Sequence, residues 1–267
     1  MKNTFLYILL LFPACYNFAQ DNSLLPKDEP LEAFGDGEWF EFRIHYGFFN
    51  ASRVTLELNA DTLNQVPVFH AKGYGRTTGF ARLFFKVEDH YQSYFGQQDG
   101  LPRKFIRDIN EGGYTKDVEI HFDHDSKIAK VNDKKKKQKA EHSINDNVQD
   151  LISAFYYLRN FYDTSQLKKG KDIFLNMFFD NENYLFKLRY LGKEIVKTKF
   201  GDVRCIKLRP YVQSGRVFNE QESVTLWVSD DANKIPVKMR ADLRVGSIDC
   251  DLENFKNLQH PFEIAVQ

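Results

Sequence analysis

The stretch Trp39-Phe40-Glu41-Phe42-Arg43-Ile44-His45-Tyr46-Gly47-Phe48-Phe49-Asn50-Ala51-Ser52-Arg53-Val54-Thr55-Leu56-Glu57-Leu58 decides the fold. In its first half Phe40, Phe42, Ile44 and Tyr46 alternate with Glu41, Arg43 and His45. In its second half Val54, Leu56 and Leu58 alternate with Arg53, Thr55 and Glu57. Successive side chains of an extended strand point to opposite faces, so a period of two with one apolar register describes strands that cover a core on one side and meet water on the other. Gly47 to Ala51 lies between the two runs as a hairpin connection, which makes the pair antiparallel.

Outward from this pair the same period continues at about 65–75, 86–95, 102–110, 114–122 and 127–132. Turn chemistry separates these runs: Gly96-Gln97-Gln98-Asp99-Gly100, Glu111-Gly112-Gly113 and Asp123-His124-Asp125. Gly79 to Phe85 reads as a short helical turn that packs its aromatic side chains. A second series of strands begins at about Ile173, and Asp180-Asn181-Glu182-Asn183 turns it into 184–191. Gly192 and Gly201-Asp202 read as tight turns before 194–199 and 203–209, and the last strands fall at about 223–229, 236–240 and 245–252.

One segment breaks the period. Val148, Leu151, Ile152, Phe155, Leu158 and Tyr162 recur at three- and four-residue steps, which predicts a helix over about 146–162. Asp146 is the candidate N-cap, with Gln149 as its capping-box partner. Some fourteen sequential short strands without βαβ alternation predict a mainly β fold: an antiparallel curved sheet or partly open β-barrel wrapped on the one central helix. The helix is expected to plug the barrel mouth or to sit in the concave face.

The ends of the chain carry other signals. Met1-Lys2-Asn3 followed by the eight-residue apolar run Phe5–Phe12 and Pro13 has the form of a signal peptide and is too short to span a bilayer. A cut after Ala19 is the expectation, and lipidation of Cys15 is the alternative. The organisation expected is therefore a signal peptide at 1–19, an irregular lead-in at 20–37, a single β domain at 38–255 and a C-terminal tail at 256–267. Export implies the cell envelope, in the periplasm of a Gram-negative-type cell, or a lipoprotein anchored at Cys15. Lys+Arg and Asp+Glu both number 37, so the chain lacks the basic excess of a general nucleic-acid binder. Cys205 and Cys250 remain after processing. They alternate with different kinds of neighbour, Cys205 with polar ones and Cys250 with apolar ones, so the two faces do not suggest a disulfide.

Several segments resemble one family. Glu111-Gly112-Gly113-Tyr114, Asp150-Leu151-Ile152-Ser153-Ala154-Phe155-Tyr156-Tyr157-Leu158-Arg159, Gly201-Asp202-Val203-Arg204-Cys205-Ile206-Lys207-Leu208-Arg209-Pro210, Trp227-Val228-Ser229-Asp230-Asp231 with Ile235-Pro236-Val237, and Val245-Gly246-Ser247-Ile248 are similar, in this order, to motifs of the exported DUF3108 proteins. The resemblance covers about Gly35 to Leu252. It implies an envelope location and a curved antiparallel sheet similar to that of periplasmic lipoprotein carriers. It implies no established activity and no catalytic residue.

Candidate chemistry is sparse. His121 and Asp123 share a strand face and are followed by His124-Asp125, which offers two ligands to a metal, but Asp-His-Asp is also ordinary turn composition. Asp230-Asp231 is a carboxylate pair in a hairpin loop, where Asp commonly caps its own turn. Ser153 lacks the glycines of a nucleophile elbow, and Gly73-Tyr74-Gly75-Arg76 lacks the strand–turn–helix context of a phosphate loop. No catalytic residue, metal or cofactor is assigned. Lys134, Lys135, Lys136 and Lys137 form a basic run, read either as a solvated hairpin tip or linker, or as a contact for anionic lipid headgroups or envelope polysaccharide.

The 25 Phe and 13 Tyr are the remaining signal. They either fill a wide curved sheet or line an apolar cavity. On the second reading Phe84, Phe85, Tyr94, Phe155 and Tyr156 are the candidate ligand contacts. The expected function is a non-enzymatic envelope protein that binds or handles a hydrophobic or amphiphilic molecule, with a lipid as the candidate partner. The alternatives are a structural or protein-partner-binding envelope module and, behind it, a hydrolase of envelope polymers.

Overall fold

A computed structural model of the chain describes residues 32–160, 167–211 and 224–265. Its elements are β1 (Trp39–Tyr46), β2 (Phe49–Leu63), β3 (Val66–Thr77), α1 (Ala81–Phe84), β4 (Val87–Gly96), β5 (Pro102–Glu111), β6 (Tyr114–Asp123), β7 (Ile128–Asp133), β8 (Gln138–Ser143), α2 (Ser153–Asn160), β9 (Asp172–Phe179), β10 (Glu182–Thr198), β11 (Gly201–Tyr211), β12 (Val224–Ser229), β13 (Pro236–Asp242) and β14 (Ser247–Lys256). The fourteen strands form one sheet in the order β8-β7-β6-β5-β4-β3-β2-β1-β14-β13-β12-β11-β10-β9. Neighbours along this order pair antiparallel, and β1 meets β14 over its whole length, Trp39 opposite Lys256 and Tyr46 opposite Ile248. The N- and C-terminal strands therefore lie in the middle of the sheet, and its two edges, β8 and β9, are consecutive in the chain.

The edges do not join as a strand ladder. The chain crosses between them through 144–171, and side chains and one bridge hold the seam. The Gln149 N–H donates to the Asn176 carbonyl and the Phe178 N–H donates to the Gln149 carbonyl, each at 2.9 Å. Arg107 Nη1 donates to Asp180 Oδ1 at 2.8 Å, Lys116 also pairs with Asp180, and Asn183 Nδ2 donates to the Ser143 carbonyl at 2.7 Å. The result is a partly open barrel, as the strand pattern predicts.

The number of strands agrees with the sequence reading through two compensating differences. β8, which follows the lysine run, carries no apolar alternation because it is an exposed edge, and Lys139 and Glu141 suit an edge that must not recruit further strands. Gly192 is not a turn. It sits at a bulge within the 17-residue β10, with φ +120, where the register against β11 shifts between Tyr190 and Gly192. Elsewhere the turn chemistry matches. Asn64-Gln65 and Asp180-Asn181 all have positive φ, the backbone of tight hairpin turns whose twist suits the flanking strands.

The helix begins later than the apolar spacing predicts. Gln149 is committed to the β9 bridge, so the cap is Asp150 rather than Asp146. Asp150 Oδ1 accepts the N–H groups of Ile152 and Ser153, both at 2.8 Å, and the Asp150 N–H donates to Ser153 Oγ at 2.9 Å. This is a reciprocal box that satisfies otherwise orphan donors. Ser93 Oγ of β4 donates to Asp150 Oδ2 at 2.6 Å and fixes the helix start to the sheet. Burial pushes the Asp150 carboxyl up to about 6 against the pull of these bonds. Tyr162, the last residue of the expected stripe, lies outside the described residues, as do the signal segment, the cut after Ala19 and Cys15.

At the other end of α2, Arg159 is buried. Its Nη1 and Nη2 donate to Glu38 Oε1 and Oε2 at 2.6 and 2.7 Å, Nη2 also to the Ala33 carbonyl, and Nε to the Asn233 carbonyl, both at 2.9 Å. The rings of Phe34, Phe40, Phe155 and Tyr156 surround the guanidinium. Glu38 is fully buried, and its desolvation pushes the carboxyl up while Arg159 pulls it back. Ala33 and Phe34, in the described end of the lead-in, are thus part of the core, inserted beneath the helix. The C-terminal segment is docked as well. Asn233 Nδ2 donates to the His260 carbonyl, the Ala265 N–H donates to the Asp202 carbonyl, and Phe262 packs on Phe200 and Phe255. Among the described residues Cys205 and Cys250 are free: Cys205 lies with Val203, Trp227 and Val237, while Cys250 packs beside the Phe40–Leu252 cluster.

Candidate functional site

The interior of the barrel has two unlike halves. Beneath β3 to β8 it is packed solid: Phe34, Phe95, Phe105, Ile120, Phe122, Val131, Val148, Tyr156 and Phe178 form one buried cluster. Between α2 and the concave face of β9 to β14 and β1 to β4 lies a half-open cavity of about 480 Å³. Its walls are mostly aliphatic, with Ile44, Val54, Leu56, Leu188, Leu208 and Leu226 among them, and Phe42, Tyr74, Tyr91 and Phe186 line them too. Leu151, Ile152, Ala154, Phe155 and Leu158 of α2 form the side facing them.

Two glycines help to keep this space open. Gly73 and Gly75 on β3 stand opposite Tyr91 and Asp89 of β4 and opposite Leu56 and Val54 of β2. A Cβ built at Gly75 meets only Val54 Cγ2, at 3.7 Å, and one at Gly73 meets Ile152 Cδ1 at 3.6 Å. Both distances are ordinary van der Waals contact. The glycines leave a bare strip on a wall that is otherwise covered by side chains.

One group of polar residues stands beside that strip, while Arg159, Lys234 and Lys238 line the cavity elsewhere. Asp89 is buried and lines it, and Oδ1 accepts the Asn110 N–H at 3.1 Å. Burial pushes the Asp89 carboxyl up to about 6. Glu111, next along on β5, is pushed up to about 7 by burial and by the charge of Asp89, with Arg107 opposing both. Tyr91, also on the wall, is buried, and its hydroxyl lies beside the Arg107 guanidinium. α2 and the lead-in plug one end of the barrel through Arg159, Glu38 and Asn233. At the other end the cavity runs out to the strand termini, where Ile44, Gly75, Asp89, Pro210, Ala241 and Ile248 lie within three residues of a strand end.

The five aromatic residues expected at a ligand site are dispersed. Phe155 lines the cavity. Tyr156 sits in the packed half, fully buried against Phe34 and Phe95 at 4.8 and 5.2 Å between ring centroids. Tyr94 is on the opposite face of β4 and stacks on His70 at 3.8 Å. Phe85 covers the Gly112 turn, where a Cβ would meet its ring. Phe84 projects into solvent from α1, so that turn exposes its apolar side chains instead of packing them. Sequence could not separate these positions, because apolar spacing alone does not say which flank of α2 meets the packed half, whether the α1 turn packs its rings, or which face of β4 turns inward. Gly73, Gly75 and Asp89 were not singled out as site residues. The signal that could have found them is two glycines two apart within a strand pattern, which leave one face bare.

The remaining candidates are structural. Asp231 Oδ1 accepts the N–H groups of Asn233 and Lys234, both at 3.0 Å, and caps the β12–β13 turn, while Asp230 pairs with Lys193 at 2.6 Å. Asp123 Oδ1 accepts the Ser126 N–H, His121 pairs with Glu119, and His124 bonds the Pro102 carbonyl. Among the described residues no three His, Cys, Asp or Glu side chains gather as a metal site would require. Ser153 is the capping partner of Asp150. Lys134 to Lys137 form the β7–β8 turn, with Lys134 paired to Asp117 and Glu119 and Lys136 to Asp133.

Fold and cavity define the class: a partly open antiparallel β-barrel, solid on one side and hollow on the other. The chain belongs to the DUF3108 family, whose description is "protein of unknown function" and whose model matches residues 41–253. Among solved structures it is similar to a β-barrel-like protein of the DUF1849 domain from Brucella abortus, with a TM-score of 0.50, 9% identity, and coverage of 82% of this chain and 97% of that one. A DUF1089 family protein of Pseudomonas aeruginosa aligns at a TM-score of 0.37 and 11% identity over 73% of this chain and 90% of that one. No curated protein matches the sequence. At these identities the likeness concerns the fold.

Proposed function

We propose that the protein binds an apolar or amphiphilic molecule in the cavity between α2 and the sheet, without chemical conversion, and that it does so as an exported protein of the periplasm. The observation that supports this reading is the contrast between the halves. The chain has aromatic side chains enough to pack β3 to β8 solid, yet on the other side a volume of about 480 Å³ stays open, lined mostly by aliphatic side chains and two glycines, with Phe42, Tyr74, Tyr91, Phe155 and Phe186 among them. Such a volume falls within the range of small-molecule pockets, which are mostly apolar with few polar groups. Asp89 and Tyr91 at the cavity wall give a head group something to bond, so an amphiphile would lie with its chain along β9 to β14 and its head near β4.

The test is native mass spectrometry of gently purified protein, followed by a thermal-shift screen of the delipidated protein with long-chain alcohols, amines, fatty acids, phospholipids and isoprenoids. A guest at a hundredfold excess over its dissociation constant should stabilise the fold by about 2.7 kcal/mol. A flat response across the screen, with no co-purified molecule, would refute the reading. A stable protein complex in the native spectrum would instead favour a partner-binding module.

A further inference from the structure

Because every neighbouring pair of strands is antiparallel, the turns after the odd-numbered strands all lie along one edge of the sheet. The five most exposed large apolar side chains among the described residues are all on that edge: Phe48 (86%) in the β1–β2 turn, Phe80 (70%), Leu83 (78%) and Phe84 (74%) around α1, and Val245 (76%) in the β13–β14 turn. They belong to neighbouring parts of one rim. The Tyr46 hydroxyl donates to the Val245 carbonyl at 2.9 Å, and Phe85 anchors the α1 segment on Gly112 of the β5–β6 turn. Water is a poor solvent for so many bare apolar tips, and on soluble proteins such clusters mark interaction sites.

The charge on this edge is one-sided. Its described turns carry Arg82, Lys86, the four lysines 134–137 and Arg244 against a single acid, Asp180, although Glu88 at the start of β4 pairs with both Arg82 and Lys86, Lys134 pairs with Asp117 and Glu119, and Lys136 with Asp133. On the opposite edge the short turns carry Asp99, Asp125, Asp230 and Asp231 against Lys127, Lys199 and Lys234. Lys135 and Lys137 at the β7–β8 tip are exposed and form no ion pair among the described residues. The same rim borders the unplugged end of the cavity, where Ile44, Gly75 and Ala241 approach the strand termini.

We infer that this rim docks on the surface of an anionic lipid bilayer, its apolar tips entering the headgroup layer and the cavity mouth facing the membrane. The inference rests on the cavity reading for what the mouth would exchange, but the contact itself is a separate property. Separate aromatic tips on turns, with cations between them, suit a fluid interface better than a shaped protein partner. The tips are spread over three turns and their flanks, as the contacting pairs Phe48 with Phe49 and Phe80 with Phe84, and as Val245. Among the described residues no helix is long and apolar enough to cross a membrane, and shallow insertion of turn tips needs none.

The experiment is vesicle co-flotation of the exported protein carrying Cys15→Ser, so that no acyl chain can be attached. Vesicles of phosphatidylcholine alone are compared with equimolar phosphatidylcholine and phosphatidylglycerol. Flotation is expected with the anionic vesicles, and the double variants Phe48→Ser/Phe84→Ser and Lys135→Glu/Lys137→Glu should each lower the bound fraction at least about tenfold. All four positions are solvent-facing, so folding should be unaffected, and uptake of N-phenyl-1-naphthylamine by the cavity should match the parent protein. Equal flotation of parent and variants, no flotation of the parent, or capture of a protein through these residues in place of vesicles would overturn the inference. Flotation that survives while the probe fails to bind would instead overturn the cavity reading and leave the docking rim standing.

Discussion

Replacing Gly75 by valine tests the cavity with little risk to the fold. Gly75 lies in extended backbone on β3, and its Cβ position touches only Val54 Cγ2 at 3.7 Å, so a β-branched side chain has both a suitable conformation and room. Removing a strand glycine should raise stability by about 0.5–1 kcal/mol. Its methyl groups would occupy the bare strip beside Asp89 and displace about three methylenes of a guest. At about 0.8 kcal/mol for each methylene returned to water, that is about 2.4 kcal/mol, or a roughly fiftyfold weaker dissociation constant. The assay is fluorescence titration with N-phenyl-1-naphthylamine, with the thermal midpoint measured on the same preparation. Unchanged affinity in a protein of unchanged or raised midpoint would refute the assignment of the site to this wall. A large loss of stability would show that the strip is packed in solution and that the cavity does not exist as described.

Other outcomes follow from the same contacts. Glu38→Gln leaves the buried Arg159 guanidinium without its counter-charge and should cost about 3–5 kcal/mol in denaturant unfolding, whereas Glu38→Leu with Arg159→Met should recover much of the loss. Asp150→Ala removes a cap and strands the buried Ser93 hydroxyl, so a loss of about 2 kcal/mol or more is expected in the same assay. Tyr156→Ala should cost about 3–5 kcal/mol, as for a fully packed aromatic, while Phe155→Ala, half-buried against the cavity, should cost less. The carboxyls of Asp89 and Glu111 titrate near 6 and 7 in the fold instead of their ordinary 3.8 and 4.5, so the folded state holds more protons than the unfolded between about pH 4 and 7. Their contribution is therefore present below that window and is lost as pH rises through it. The thermal midpoint should climb on acidification from neutral to about pH 5, and Asp89→Asn with Glu111→Gln should reduce that climb, leaving the part that Asp150 contributes. Below about 4.5 Glu119, held down at about 2 by His121 and Lys104, reverses the trend.

The sequence by itself determined the strands, because their signal is local. Alternation in 39–46 and 114–122, and turn residues such as Asn181 and Gly112-Gly113, depend on near neighbours along the chain. It also determined that one helical stripe had to be buried in a chain of period two. The family motif around Asp150 was legible as well, though not its purpose: Asp150, Ser153 and Arg159 turn out to start the helix and lock its end to Glu38 and Asn233.

The tertiary structure alone decided what depends on curvature and on the meeting of distant segments. Gln149 could be read as a helical capping partner until its pairing with Met177 across the seam removed it from the helix. β8 carried no pattern because an edge strand with both faces wet needs none. Tyr156 and Phe155 are adjacent in sequence, yet one is sealed in the packed half and the other faces the cavity, since a helix rotates each successive side chain by about 100°. Which half is solid and which is hollow depends on where Phe34, Phe95 and Phe178 converge, three residues brought from the lead-in, β4 and β9. Such convergence has no local signature, and neither does the bare strip at Gly73 and Gly75, which becomes a wall of a cavity only when α2 is laid across it.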